Sequence, residues 1–130
     1  MWEIETIPDN ELLYKRIHEN HIRDGEVMPV TFKEQGEDDN KGMSTDWAKY
    51  SRPRETKLRA RDPKKNGVVS FDTEDLRDLN LEVVHAPIKD HPKIEDNRAH
   101  THVQGIDTEK RVKLLDLIKW EIKPKVLVNL

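Results

Sequence analysis

Apolar residues fall into short dense runs separated by charged stretches, and the spacing within each run predicts the element it forms. Val112, Leu114, Leu115, Leu117, Ile118 and Ile122 recur at helical spacing, which predicts a helix over 108–122 with Thr108 as its cap, Glu109 in the first turn and Pro124 as its stop. A shorter helix is predicted from Asp72, with Leu76 and Leu79 on one face and Asn80 near its end, since asparagine tolerates left-handed backbone. A third is predicted over 52–61, with Pro53 in its first turn and Ser51 as cap. Runs rich in β-branched residues at 67–71, 81–85 and 98–103 read as strands, each bounded by Gly, Pro or Asn. The segments 28–33 and 126–128 are further strand candidates. Residues 12–18 fit two patterns, because Leu13 and Ile17 suit a helix while Leu12, Tyr14, Arg16 and His18 suit one face of a strand. The mixed order of elements predicts an α+β fold: one domain over 1–130, with a small mixed or antiparallel sheet and about three helices.

Composition sharpens this picture. With 34% hydrophobic and 38% charged residues in a chain of 130, the core must be small, but 23 basic against 26 acidic residues avoids the high net charge typical of disorder. The absence of cysteine removes disulfides, thiolate nucleophiles and thiolate metal sites. The acidic start, Glu3 and Glu5, is unlike a secretory signal, and no apolar stretch is long enough for a membrane span, so a cytoplasmic protein with no membrane partner is expected. Charge is unevenly spread: residues 1–40 carry 4 basic and 11 acidic groups, 41–66 carry 9 and 3, and 67–130 carry 10 and 12. The middle block is the only cationic one. The tract 34–42 can bury nothing and reads as an exposed, mobile acidic loop that could engage a protein partner.

Three groups of residues have chemistry to offer. Six histidines are present, and on a strand His100 and His102 share a face; with His85 on a neighbouring strand they make a candidate site for a divalent metal and hydrolysis. The cationic block places Arg54, Lys57 and Arg61 on one helix face, with Glu55 set to pair with Arg59. It could grip phosphates, although nucleic acid is not the favoured partner of a chain with net charge −3. The third group, at 43–50, joins hydroxyls, a carboxylate and two aromatics; with 14–18 it could line a pocket in which Arg16 anchors a phosphate or carboxylate and Ser44 or Thr45 orients it. Against that stands a purely structural reading, with Ser44 or Asp46 capping a helical turn and Trp47 packed in the core. No nucleophile elbow, Gly-rich phosphate loop or His-Glu-x-x-His motif occurs.

The segments Leu13-Tyr14-Lys15-Arg16-Ile17-His18, 43–51 (MSTDWAKYS) and 97–105 (NRAHTHVQG) resemble those of a group of small uncharacterised bacterial proteins, over most of residues 12–105. That resemblance implies a stand-alone bacterial protein and supplies no catalytic residues. A fainter similarity is to ADP-ribosyltransferase-like folds. It would give Arg16 or His18 and Ser44 or Thr45 the dinucleotide-holding roles, with His100 and His102 standing where a catalytic Glu is wanted. The expected function is a binding or accessory module for a protein or phosphorylated ligand, working through Arg16, His18, Ser44, Thr45, Arg54, Lys57 and His100. The enzymatic alternative is a metal-dependent hydrolase or a transferase of that kind. No cofactor is expected apart from a divalent metal on His85, His100 and His102, and Trp2 or 126–128 offers a surface for a homodimer.

Overall fold

A computed structural model of the chain describes residues 2–36 and 41–125. The centre of the acidic tract and the candidate strand 126–128 lie outside the described residues. Eight strands and three helices follow the order β1 (Leu12–His18), β2 (Ile22–Arg23), β3 (Glu26–Val27), β4 (Met43–Trp47), α1 (Pro53–Leu58), β5 (Asn66–Asp72), α2 (Thr73–Asp78), β6 (Glu82–His85), β7 (His100–Gln104), α3 (Thr108–Leu114) and β8 (Lys119–Ile122). Six strands form one sheet in the order β6-β7-β4-β1-β5-β8, with every neighbouring pair antiparallel, and β2 and β3 form a small ribbon. The fold is α+β in a single compact domain, and no helix among the described residues is long and apolar enough to cross a membrane.

The ambiguity at 12–18 resolves as a strand because a partner is available along its whole length: all seven residues of β1 pair with β5, from Leu12 opposite Asp72 to His18 opposite Asn66. Alternation then sends Leu13 and Ile17 to the core face, where they meet Met43, Trp47, Val69, Phe71 and Val103 from the neighbouring strands. Leu76 of α2, Leu114 of α3 and Phe32 cover this face, and the Phe32 ring meets Phe71 edge-on at 5.9 Å, a contact worth about 0.5–1.5 kcal/mol beyond its burial. Helix α1 lies on the opposite face.

Several expectations change. The long helix stops at Leu114, and its cap is Asp107, whose carboxylate accepts the Lys110 N–H at 2.8 Å, rather than Thr108. After a turn the chain re-enters as β8, because β5 has a free edge and Trp120 and Ile122 alternate with charged residues in the period a strand needs. Segment 28–33 holds a 3₁₀ turn over Pro29–Phe32 instead of a strand, its first residue being a proline with no N–H for a ladder. Helix α1 is capped through Glu55, which accepts the Arg52 N–H at 3.0 Å, so Glu55 is not the partner of Arg59. Helix α2 ends as expected, with Asn80 at φ +62°. Residues 43–47, for which one reading was a helical turn, are strand β4 near the centre of the sheet, with Trp47 packed in the core as that reading expected.

Candidate functional site

The ladder between β1 and β4 is short. It pairs Leu13 with Trp47 and Tyr14 with Asp46 and goes no further, although both strands continue, to His18 and back to Met43. Beyond this point β1 pairs only with β5, and β4 only with β7. The two central strands therefore splay apart. Residues that normally face opposite sides of a sheet, Lys15 and Thr45 on one side and Arg16 and Ser44 on the other, line a single cavity of about 790 Å³ that enters the gap. Alternation also fixes the main chain here: the Leu12 carbonyl accepts the Ala48 N–H and the Trp47 N–H bonds to Ala99, so the main-chain groups of Arg16 and Ser44 point toward the gap, with no strand partner there.

One wall of this slot is anchored by Asp46, which is almost fully buried. One carboxylate oxygen accepts from the Thr56 hydroxyl at 2.8 Å and from Arg59 at 2.9 Å, and the other accepts from the Asn97 amide at 2.8 Å. Thr56 donates to Asp46, so the Ser51 hydroxyl, 2.8 Å away, can donate to Thr56 while accepting from Arg59 at 2.8 Å. Arg16 reaches the same helix, donating to the Thr56 carbonyl at 3.2 Å. These bonds hold α1 against the sheet, and through Asn97, whose own side-chain oxygen accepts the Ala99 N–H, they fix the approach to β7.

Lys15 stands in contrast. It interrupts the apolar alternation Leu13, Ile17 on the core face, is partly buried, and its ammonium makes no hydrogen bond or ion pair among the described residues. Burial, helped by the neighbouring Arg16 charge and opposed by Asp46, pushes its pKa down to about 8. Six cations line the slot, Lys15, Arg16, Lys33, Arg59, Arg61 and Lys93, against the two carboxylates of Asp46 and Glu95.

His100 completes the lining. Its Nδ1 lies 2.9 Å from the Ala86 carbonyl and its Nε2 3.2 Å from the hydroxyl of exposed Ser44. A carbonyl only accepts, so Nδ1 carries the proton, and in the neutral ring Nε2 is left to accept from Ser44. Burial holds the imidazole below its ordinary pKa, opposed by the Ala86 carbonyl, with the nearby His102 ring lowering it further.

Of the residues singled out in the sequence, Arg16, His18, Ser44, Thr45 and His100 line this one slot. Arg54 does not; it borders a shallow depression with Tyr14 and Lys49. Lys57 is spent on structure, donating at 2.6 Å to the carbonyls of both Pro63 and Asn66. The three-histidine metal site does not assemble. His85 is on the core face, its Nδ1 accepting the Glu5 N–H at 3.0 Å and its Nε2 2.7 Å from the Arg98 carbonyl, with Trp47 edge-on at 5.3 Å. His100 and His102 sit on the other face with their rings 4.7 Å apart. His102 lies over Gly42, where a Cβ would come within 2.7 Å of its Nδ1. Among the described residues no three His, Asp or Glu side chains come together as a metal site.

Sequence reasoning gave Lys15 no role beyond membership of the 14–18 segment, paired Arg59 with Glu55, and gave Asn97 no role. Lys15 had a signal, a charged residue at the centre of an apolar period-two face, visible only once 12–18 is taken as a strand. Arg59 was hidden by the i,i+4 pairing with Glu55, which capping overrides. Asn97 had none, since its role depends on a strand 51 residues away. Comparison of the chain with family models, curated proteins and solved structures finds no match in any of the three.

Proposed function

We propose that the protein binds a small anionic molecule, bearing phosphate or carboxylate groups, in the slot between β1 and β4. The observation that carries this reading is the reversal of charge inside a chain of net −3: among the described residues six cations to two carboxylates line the slot, and one cation, Lys15, is held there with no bonded counter-charge. Burying an uncompensated ammonium is costly, and an anion entering the slot removes that cost. Arg16 and Arg59 keep further N–H donors beyond those used on Thr56, Asp46 and Ser51, and Ser44 and Thr45 supply hydroxyls. Such a site suits phosphorylated metabolites.

The test is thermal unfolding and equilibrium dialysis of the full chain with inorganic phosphate, pyrophosphate and citrate, with glucose as a neutral control. The anions should raise the unfolding midpoint in proportion to the logarithm of their concentration, less so at high salt, while glucose leaves it unchanged. Lys15→Met and Arg16→Met should each weaken binding about 10- to 100-fold, the loss of one charge-assisted contact. Absence of an anion-dependent shift, or full affinity in both variants, would overturn the reading.

A further inference from the structure

The Ala86 carbonyl, His100 and Ser44 form a chain of hydrogen bonds that ends on an exposed hydroxyl inside the slot. Simple anion binding has no need of this order of groups, which is that of an activated nucleophile: a hydroxyl, a ring nitrogen facing it with a free lone pair, and a fixed acceptor behind the ring that sets its tautomer and orientation. We propose that Ser44 is a nucleophile and His100 its general base, and that the slot hydrolyses a carboxylic ester carrying an anionic group. This rests on the reading of the slot as an anion site, since the cations would hold the substrate's charged end.

Ser44 Oγ attacks the ester carbonyl carbon as its proton passes to His100 Nε2. The carbon–alkoxide bond breaks, and the departing oxygen takes that proton from His100, leaving an acyl group on Ser44. Water then attacks the acyl carbon, giving a proton to Nε2. The bond to Ser44 Oγ breaks and Ser44 recovers the proton, so the net change is ester and water to acid and alcohol. The charge that develops on His100 is supported on two sides. Nδ1–H is held by the Ala86 carbonyl, and Asp46 is the cross-strand neighbour of His100 on the same face. The main-chain N–H groups of Arg16 and Ser44, turned into the gap, are the donors on hand for the oxyanion of the tetrahedral intermediate. Because burial depresses the His100 pKa, the ring stays a base somewhat below the pH at which a free imidazole would be protonated.

The full chain should be incubated with mono-4-nitrophenyl succinate and, for comparison, neutral 4-nitrophenyl acetate, with nitrophenol release followed and the peptide containing Ser44 analysed by mass spectrometry. The expected result is preferential turnover of the anionic ester, a succinyl adduct on Ser44, and a fall of at least 100-fold in kcat/KM in both Ser44→Ala and His100→Gln. Ser44→Cys should be alkylated by iodoacetamide faster than a free thiol, and Ser44→Cys/His100→Gln should not. Phosphate binding measured on the same samples separates the two claims. If phosphate still binds but no adduct forms on Ser44, or the adduct is found on Lys15, the nucleophile is wrong and the anion site stands. If phosphate binding and acylation are both missing from the folded chain, the slot reading fails along with the nucleophile.

Discussion

The wall of the slot beneath α1 and its floor between β1 and β4 are both built from charged side chains, but they differ in how many partners each charge has. Asp46 in the wall is saturated, with three donors on two oxygens and Arg59 as counter-charge. Lys15 in the floor has no bonded partner among the described residues. A buried charge with a full set of partners ties elements together, whereas one left wanting weakens the fold and is suited to meeting something from outside. This difference predicts opposite responses to removing the charge.

The largest effect is expected at Asp46. Asp46→Ala leaves Arg59, Thr56 and Asn97 without their acceptor and should cost about 3–5 kcal/mol, read as a lower denaturant midpoint at unchanged slope. Lys15→Met should move stability the other way, by up to about 3 kcal/mol at neutral pH, an upper bound set by a pKa pushed down to about 8 from the ordinary lysine value of 10.5. The sign follows from proton counting. Below pH 8 both folded and unfolded chains hold the proton and the cost of burying it is present in full; between 8 and 10.5 only the unfolded chain holds it, so this residue makes stability rise with pH. The Lys15→Met variant should lose that alkaline rise, and a variant less stable than the parent would break the contrast. The smallest effect, about 1–2 kcal/mol, is expected from Thr56→Val, which removes one donor from Asp46 and one acceptor from Ser51. Unchanged phosphate affinity in that variant would sharpen the division between wall and floor.

What the sequence made legible follows the range of the interactions involved. Local signals were sufficient for the strand expected at 67–71 and found over 66–72, for α2 and its end at Asn80, and for the strand face shared by His100 and His102. Helical spacing at 108–122 misled because leucines fit either a helix face or the turn that packs Leu115, Leu117 and Ile118 on the core; the free edge of β5, 50 residues away, decided against a continued helix. Within the slot, Arg16, His18, Ser44, Thr45 and His100 were readable as polar residues flanking apolar runs. That 14–18 and 43–50 could share a pocket was one of two open readings; why the pocket opens was not legible, since it depends on strands that part after two pairs, and a sequence carries no local mark for a ladder that stops. His85 shows the converse. Its spacing suggested a ligand, while Trp47 and two main-chain groups enclose it.

The short β1–β4 ladder has a mechanical consequence. It divides the sheet into two three-stranded leaves, β6-β7-β4 and β1-β5-β8, each hydrogen-bonded within itself, with a register shift between β5 and β8, and stitched to the other at one end. Each leaf keeps its own rungs, so the width of the gap between them is set by the two-pair stitch and by the clasp of α1, whose Thr56 and the following Arg59 hold Asp46, and not by continuous hydrogen bonding along the strands.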